Sequence, residues 1–421
     1  MTSGEKKFDA IVCLSQIDWD FLWQRTQEIM SQFAAMGYPV LFVENTGVRI
    51  PNIKDAPRVW QRLKKIIRPA KGTNLSESHN NIKVLSPMAL PFPYSRSAWK
   101  LNSALIRREI ARFSRNTGVP VKRILLWSYM TTPLAVHLAE SVSWAGVVVD
   151  LVSDPCKVPG AERIVPYHRK MLQKANVIFC ASVPVVNNAK NHIGKSDHNK
   201  IKLFEDGFST RLLDMVEKDK KRSALPDKTT VSDDKPFAAY IGGVNNKIWW
   251  DAVAVMARAF PDIRFIFAGP KLLTGFQRNA GQLHEADLPC DGAGRNVTWH
   301  PPFKEYQQLG SFLTGCCAGL IPYVPTPYVA EMRPAKINEY LVMGLPIVGT
   351  RMPELERLAV DHGSGIVYLA DNVDEFAEKL REALDEDCEN LREKRMQVAC
   401  SRSWERVCSM IEDDLMMHLS K

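Results

Sequence analysis

The sequence lacks any apolar run long enough to cross a bilayer. No stretch of about 18 consecutive apolar residues occurs in the 421-residue chain, so no membrane-spanning helix is predicted. The first residues, MTSGEKKFDAIVCL, also lack the long apolar core and the small-residue cleavage site of a secretory signal. We therefore expect a cytoplasmic protein. The 45% hydrophobic and 24% charged content is ordinary for a chain of two globular domains.

Cysteine is scattered rather than patterned. The nine cysteines stand at positions 13, 156, 180, 290, 316, 317, 388, 400 and 408. They form no C-x-x-C motif and no Cys/His cluster at the spacing of zinc sites. Most lie in apolar segments, where a free thiol behaves as a small hydrophobe. Neither a metal site nor a disulfide is predicted.

The opening of the chain lacks the glycine motif of dinucleotide-binding proteins. An apolar run over residues 8–14, a helical pattern through Met36 and a second strand over 39–44 are typical of a doubly wound α/β domain. The first loop has no G-x-G-x-x-G, so no dinucleotide site is predicted there. The candidates for lining a ligand cleft in this loop are Trp19, Trp23, Gln24 and Arg25. Packing is the more common role for side chains at a helix start.

Positive charge is concentrated in the first half of the chain. Residues 1–205 contain 29 lysines and arginines against 15 acidic residues, a net charge of +14, whereas the remaining residues carry −6. Within the basic half, residues 49–71 place eight lysines and arginines around an apolar stripe that includes Trp60. This pattern is typical both of a helix lying on an anionic membrane and of a cationic surface helix docked on its own domain.

The segment from Tyr323 to Thr350 carries the strongest functional pattern. Pro334 suits the first position of a helix, where its missing N–H is not needed. One buried face of that helix is predicted from residues at the spacing i, i+3, i+4 and i+7: Ile337, Tyr340, Leu341 and Gly344. The free N–H groups of the helix start attract anions, and the nearby Arg333 and Lys336 add two cations. We therefore expect a diphosphate to bind at Pro334.

Two carboxylates flank this predicted anion site. Glu331 precedes the helix, and Glu339 lies about 7–8 Å along its axis from Pro334. A nucleoside diphosphate at the helix start would leave its ribose near Glu339, whose carboxylate can accept from two hydroxyl groups. Glu331 could accept from sugar hydroxyls on the other side of the diphosphate. The spacing therefore favours a nucleotide sugar as ligand.

The same residues carry a family resemblance. Glu331 and Glu339, followed by Gly344-Leu-Pro-Ile-Val-Gly-Thr350, resemble the E-x7-E signature and following strand of retaining GT-B glycosyltransferases of the family-4 type. The resemblance implies that Glu331 contacts the donor sugar and Glu339 the ribose. It also implies metal-independent transfer with retention of configuration, a UDP- or GDP-sugar as donor, and no further cofactor.

A glycine-ended strand opens the second half of the chain. Phe237-Ala-Ala-Tyr-Ile-Gly242-Gly243 is followed by Lys247, and in the family glycines here approach the diphosphate while an arginine and a lysine neutralise it. No arginine occurs between Gly243 and Trp250, so Arg333 and Lys336 would have to replace it. Gly269, at the end of the next strand, is expected beside the nucleobase, together with Ala268 and the Pro302-Phe303 turn.

Two aspartates end a strand of the first half. Asp150 lies near the end of the apolar run over 146–151 and Asp154 follows that run, at the edge where doubly wound sheets bind ligands. The resemblance places this edge on the acceptor side, with Asp154 as the better candidate for acceptor contact and Asp150 for positioning loops. An aspartate after a strand is also a common turn former or helix cap, and we favour that interpretation slightly.

The resemblance implies a GT-B architecture of two Rossmann-like domains that face each other across a cleft. Residues 1–207 would be the acceptor-binding domain and residues 208–235 the linker. Residues 236–400 would bind the nucleotide sugar, and residues 401–421 would form a helix returning to the first domain. The expected function is sugar transfer to a saccharide acceptor, attached to a lipid carrier at an anionic membrane surface, in surface polysaccharide assembly.

Three alternatives remain open at this point. A nucleotide-sugar epimerase or a sugar phosphorylase could share the two-domain architecture, although a cofactor lysine motif of the phosphorylase kind is not evident. The basic half is compatible with nucleic-acid binding, but no recognised motif accompanies it, and nucleic acid is not an expected partner. The missing arginine is compatible with a catalytically silent binding module.

Overall fold

The computed structural model describes residues 6–21, 23–45, 81–87, 90, 92–157, 161–213, 235–271, 296–303 and 305–419. The basic segment 49–71 and most of the 208–235 linker lie outside the described residues. The chain divides into two units, one formed by Met1–Glu205 together with Val407–Lys421, and the other by Asp206–Arg406.

The first unit contains a parallel sheet of seven strands. They are β1 (Ala10–Leu14), β2 (Val40–Val43), β3 (Ile82–Leu85), β4 (Ile124–Ser128), β5 (Gly146–Leu151), β6 (Val177–Cys180) and β7 (Ile201–Leu203). Their order in the sheet is β3-β2-β1-β4-β5-β6-β7. Every residue of β1, β2, β4, β5 and β6 is buried, as expected for parallel strands covered on both faces.

Helices connect these strands. They are α1 (Arg25–Ala35), α2 (Arg96–Thr117), α3 (Pro133–Ser141), α4 (Val165–Lys174) and α5 (Val183–His192). Local sequence sets several of their starts. The hydroxyl groups of Thr132 and Ser182 accept hydrogen bonds from the amides of Ala135 and Val185, both at 3.4 Å. A proline stands one residue after Thr132 and two residues after Ser182, in the first turn of each helix.

The second unit contains a parallel sheet of six strands. They are β8 (Phe237–Ile241), β9 (Arg264–Ala268), β10 (Val297–His300), β11 (Cys316–Ile321), β12 (Ile347–Thr350) and β13 (Val367–Ala370). Their order is β10-β9-β8-β11-β12-β13. The predicted α/β class is confirmed, since both units have doubly wound parallel sheets.

The described helices of the second unit follow its strands. They are α6 (Trp250–Ala259), α7 (Tyr306–Thr314), α8 (Lys336–Val342), α9 (Pro353–His362), α10 (Glu375–Asp385) and α11 (Glu389–Cys400). A last helix, α12 (Trp404–His418), begins in the second unit, and its residues from Val407 onward belong to the first. Within the first unit, Glu412 of this helix accepts a hydrogen bond from Tyr38, and Asp414 lies 3.8 Å from the Lys202 ammonium.

The helix α11 was not predicted from the sequence pattern. Tertiary contacts hold α11, because Arg395 is fully buried and donates to the carbonyl oxygens of Gly365 at 2.6 Å and Gly344 at 3.0 Å. A helix anchored by a buried arginine has few apolar residues, so its periodicity is weak. Among the described helices, none combines the length and the apolar character that a bilayer crossing requires. The eight described cysteines are free thiols.

Candidate functional site

The second sheet has its topological switch point between β8 and β11. The chain runs outward from β8 to β9 and β10 on one side, and from β11 to β12 and β13 on the other. In open parallel sheets, ligands bind at the carboxyl ends of the strands at this point. Gly242 follows β8 there, and Tyr323 follows β11. The predicted site residues of the second unit collect around these two strand ends.

The glycines at this edge allow close approach of two loops. Gly242 has φ +121° and Gly269 has φ +149°, conformations that residues with a side chain rarely adopt. The Gly242 amide donates to the Ala268 carbonyl at 2.8 Å, and a Cβ on Gly269 would overlap the carbonyl of Gly242. The carbonyl of the neighbouring Gly243 accepts from Tyr240 at 2.9 Å. Both loops therefore lack side chains where they meet.

Lys336 lies against this loop in an aromatic environment. Its ammonium donates to the Tyr323 hydroxyl at 2.7 Å and lies 4.0 Å from the centroid of the Tyr240 ring. A Cβ on Gly242 would lie 3.4 Å from the Lys336 ammonium nitrogen. Lys336 is 9% exposed, and no described acidic group lies within ion-pair distance of it. The site thus contains a buried cation without an ion-pair partner among the described side chains.

Lys247 adds a second cation at the same place. Its ammonium lies 5.7 Å from the centroid of the Tyr323 ring, and its backbone amide donates to the Asn245 side chain at 2.9 Å. Burial lowers the pKa of Lys247. The pKa of Lys336 falls well below its usual value, mainly through burial and further through the charge of Lys247, while Glu339 acts in the opposite direction. An anion bound here would relieve both effects.

Arg333 faces other partners. Its guanidinium donates to the Asn338 side chain at 3.2 Å and lies 3.9 Å from a carboxylate oxygen of Glu354. Burial lowers the pKa of Arg333, and the charges of Glu354, Asp206 and Glu339 oppose that effect. Asn338 in turn donates to the Asp206 carbonyl at 2.6 Å. Arg333 therefore anchors the start of α8, whereas the lysines occupy the switch point.

The predicted start of the central helix is wrong by two residues. The helix α8 begins at Lys336, and Pro334 and Ala335 form a tight turn before it, accepting from the amides of Ile337 and Asn338 at 3.1 Å each. Pro334 is therefore a turn residue rather than the first helical residue. The helix is seven residues long, so its dipole is weaker than that of a long helix. Positive charge at this edge comes mainly from the two lysines.

The two motif glutamates lie on either side of that turn. Glu331 ends a short 3₁₀ turn, Val329–Glu331, and is 4% exposed. Glu339 stands in the first turn of α8 and is partly exposed, and its charge acts on both Arg333 and Lys336. The predicted apolar face of α8 is confirmed for Ile337, Tyr340 and Leu341, which are buried, whereas Gly344 lies beyond the end of the helix. Tyr340 packs so tightly on β11 that a Cβ on Gly319 would overlap its ring.

The predicted nucleobase-side residues lie at the ends of β9 and β10. The Gly269 carbonyl accepts from the Trp299 indole at 2.8 Å. Phe303 stacks on His300 with ring centroids 4.5 Å apart. The two tyrosines that surround Lys336, Tyr240 and Tyr323, were not predicted as site residues. A tyrosine in or after an apolar strand carries no signal in the sequence that distinguishes it from a packing residue.

Asp154 lies in the first unit, three residues after β5. Its Oδ1 accepts from the Cys156 amide at 2.8 Å, which is the geometry of an aspartate turn. Its Oδ2 lies 3.4 Å from His192 Nε2. Burial raises the pKa of Asp154, but the hydrogen bonds from His192 and the Cys156 amide outweigh it and hold that pKa at about 2. In its local structure, Asp154 is therefore a turn former, the role that the sequence pattern slightly favours.

Among the other candidates of the first unit, Arg25, Asp150 and Trp19 are buried packing residues, whereas Trp23 is exposed. The Arg25 guanidinium donates to Asp150 at 3.0 Å, and both side chains are almost fully buried. Trp19 is 5% exposed and packs edge-on against Phe42. Trp23 is 38% exposed and meets Trp19 edge-on. The sequence could not separate these roles, because the partner of Arg25 is 125 residues away.

Comparison with known proteins connects this geometry to a family. Residues 235–386 match the family described as "Glycosyl transferases group 1". The match covers most of the second unit. The described site residues from Gly242 to Glu354 all lie within the matched residues.

Relatives and solved structures extend the likeness over more of the chain. The chain is 23% identical over 294 residues, 67% of its length and 69% of the relative's, to a Bacillus subtilis (strain 168) protein described as "Putative teichuronic acid biosynthesis glycosyltransferase TuaH". The structure of the present chain is similar to that of sucrose-phosphate synthase (tll1590) from Thermosynechococcus elongatus. The TM-score is 0.65 at 12% identity, with 97% of this chain and 98% of that chain covered.

A second structure is that of Anabaena Alr3699/HepE in complex with UDP-glucose. The TM-score is 0.62 at 12% identity, with 97% of this chain and 99% of that chain covered. WaaG, a glycosyltransferase involved in lipopolysaccharide biosynthesis, gives TM-score 0.57 at 12% identity, with 96% and 99% covered. These likenesses establish the GT-B fold that the sequence resemblance implied.

Proposed function

We propose that this protein transfers a sugar from a nucleotide-sugar donor to a saccharide acceptor with retention of anomeric configuration. The observation that carries the proposal is the pair Lys247 and Lys336 at the switch point of the second sheet. Both are at least partly buried, and neither has an acidic ion-pair partner among the described residues. Burying an ammonium group without a counter-charge is costly, so the pair fits an anionic ligand such as a diphosphate.

The proposed chemistry follows from charge development on the donor. The bond between the sugar C1 and the diphosphate oxygen breaks, and the acceptor hydroxyl oxygen bonds to C1. The acceptor proton passes to the departing phosphate oxygen, so no protein base is required. Lys247 and Lys336 would stabilise the negative charge that develops on the leaving group. These cations would serve at the diphosphate in place of a metal ion.

The remaining site residues would orient the nucleotide sugar in the site. Glu339 would accept from the ribose hydroxyls and Glu331 from those of the donor sugar. Arg333 would position Glu339 through its charge and through Asn338, rather than bind the diphosphate itself. Gly242, Gly243 and Gly269 would allow the phosphates and base to approach the backbone, with Pro334 shaping the turn beside them.

The donor base and the acceptor are further parts of the proposal. A uridine diphosphate sugar is favoured because Alr3699/HepE, which shares the fold, is described in complex with UDP-glucose. A lipid-linked saccharide of a surface polysaccharide is favoured because the basic first half of the chain suits an anionic carrier, with Asp154 on the acceptor side. The named pathways of TuaH and WaaG also concern cell-surface polymers.

Donor binding can be tested by thermal shift. UDP, GDP, ADP and their sugars would each be titrated into the full chain, because a ligand of the folded state raises the melting temperature according to its affinity. We expect UDP and one UDP-sugar to give the largest increase. Absence of a shift with every nucleotide would contradict the proposal.

The roles of the two motif glutamates can be tested by substitution. Glu331→Ala and Glu339→Ala are each expected to abolish sugar transfer while leaving the far-ultraviolet circular dichroism unchanged. Glu356→Ala is a matched control, because Glu356 is an exposed acid of α9 that pairs with Arg351 at 3.3 Å. Normal turnover in either motif variant would overturn the site assignment.

Membrane attachment through residues 49–71 is a separate proposal. Liposomes containing anionic lipid should carry the protein upward in a flotation gradient, and replacing Arg62, Lys64 and Lys65 with glutamate should abolish flotation. Equal flotation of the variant would exclude this segment as the attachment site.

A further inference from the structure

We propose that Asp154, Cys156, His168 and His192 bind one divalent transition metal ion, for which zinc is the best match, in a structural site of the first unit. One ligand atom from each of these four side chains lies within 4.8 Å of the others. The linear spacing of the cysteines and histidines gives no sign of this cluster, since its members span 39 positions and three elements. Of its four members, only Asp154 has a role in the proposed sugar transfer, on the acceptor side.

The fold brings the four side chains together from separate segments. Asp154 follows β5, and Cys156 lies in the short 3₁₀ turn Pro155–Lys157. His168 stands in α4, and His192 is the last residue of α5. Asp154 and His168 are 5% and 1% exposed, so the cluster is largely shielded from solvent.

His168 is oriented as metal-ligating histidines are. Its Nδ1 lies 3.1 Å from the buried hydroxyl of Thr131, which occupies that ring nitrogen with a hydrogen bond. In the tautomer whose Nδ1–H donates to that hydroxyl, the opposite nitrogen, Nε2, keeps its lone pair for a ligand. A hydrogen bond from the outer ring nitrogen to a fixed oxygen is the usual means of orienting a metal-bound histidine.

His192 offers a second imidazole at the same point. Its ring lies perpendicular to that of His168, with centroids 4.8 Å apart. Its Nε2 is 3.4 Å from Asp154 Oδ2, and its buried Nδ1 has no hydrogen-bond partner among the described residues. A buried ring nitrogen without a partner is unfavourable in a purely structural cluster. Coordination through Nδ1 would relieve that cost.

The donor set selects the kind of metal. One thiol, two imidazoles and one carboxylate match the borderline preference of zinc and differ from the all-oxygen sets of magnesium and calcium. Zinc holds such ligands at about 2.0–2.3 Å, so tetrahedral ligand atoms lie roughly 3.3–3.8 Å apart. The widest separations between the ligand atoms, up to 4.8 Å, would have to shorten by about 1 Å. In return, the metal would displace the hydrogen bond between Cys156 and Asp154 and bind both groups.

Four protein ligands leave no open position on a tetrahedral ion. Such closed sites are structural, and their binding free energy adds to the free energy of folding. The ion would cross-link the segment after β5 to α4 and α5. Asp154 would then be a metal ligand rather than a group that contacts the acceptor.

The test measures metal content and cobalt spectra of the full chain. The protein would be stripped with a chelator, dialysed against zinc or cobalt, and analysed for metal per chain by mass spectrometry. We expect about one equivalent of zinc, a higher melting temperature with zinc, and intense visible absorption with cobalt together with a thiolate-to-cobalt charge-transfer band. No stoichiometric binding of either metal to the wild-type chain would overturn the proposal.

Matched variants assign the ligands. Cys156→Ser and His192→Gln are expected to weaken zinc binding by at least about 100-fold, whereas Cys388→Ser and His198→Gln should bind as the wild type does. Thr131→Val should weaken it by about 10–100-fold, as loss of an outer hydrogen bond does. Circular dichroism confirms that each variant is folded. Undiminished binding in folded Cys156→Ser and His192→Gln would exclude these ligands and with them the proposed site.

Discussion

Buried charged groups at the two parallel sheets differ in whether they have an ion-pair partner. In the first unit, the buried Arg25 and Asp150 meet at 3.0 Å, and the Trp127 indole also donates to Asp150 at 3.3 Å. In the second unit, Lys247 and Lys336 lie at the switch point with no acidic ion-pair partner among the described residues. A buried charge paired within the fold is part of the core. A buried charge without such a pair is suited to a ligand.

Breaking the internal pair should have the largest effect. Arg25→Met leaves the Asp150 carboxylate buried without its cation, so we expect the free energy of unfolding to fall by about 3–5 kcal/mol. Urea denaturation measures this change. The affinity of the folded variant for UDP should stay at the wild-type value, because the pair belongs to the first sheet.

The double variant Arg25→Met, Asp150→Leu is the control. Removing both charges leaves no unpaired ion, so part of the lost stability should return. A single variant as stable as the wild type would show that the pair contributes nothing, and the comparison between the two sheets would fail.

Removing Lys336, the cation that has no ion-pair partner among the described residues, should weaken ligand binding rather than stability. Lys336→Met is expected to weaken UDP binding by about 2–5 kcal/mol, since a bound diphosphate would lose a buried counter-charge. Isothermal titration calorimetry measures this loss. Lys235→Met is the matched control, because Lys235 is an exposed lysine of the same unit that pairs with Asp262 at 3.2 Å. Equal loss in both variants would contradict a specific role for Lys336.

The smallest expected effect is a dependence of stability on pH. Burial lowers the pKa of Lys336 in the folded protein below its unfolded value of 10.5. Between these two values the unfolded chain binds more protons than the folded chain, so ligand-free stability rises with pH, by at most about 1.4 kcal/mol per pH unit. Lys336→Met should remove this slope and be more stable than the wild type near neutral pH, with the advantage fading toward pH 10.5.

Melting temperatures at several pH values, with and without UDP, check this prediction. A bound diphosphate would restore the charge of Lys336, so the slope should flatten in the complex. A variant that keeps the full slope would show that another group is responsible.

Strand positions were predictable because buried parallel strands are continuous apolar runs. The predicted strands over 39–44 and 146–151 correspond to β2 and β5, whereas β3 and β7, which are only partly buried, carry no such signal. The apolar face of α8 followed from its periodicity. Its start did not, because the turn at Pro334 and Ala335 depends on Asn338 reaching back to Asp206, a contact over 132 positions.

Composition and local pattern determined the α/β class and the predicted anion site at Lys336 and Glu339. The resemblance to GT-B transferases added Gly242 and Lys247 to that predicted site. Only the tertiary structure decided which charges are paired. It joined Arg25 to Asp150, turned Arg333 toward Glu354, left the lysines among tyrosines, and gathered Asp154, Cys156, His168 and His192. The physical reason is that the energy of a buried charge depends on neighbours in space, and those neighbours are distant in sequence.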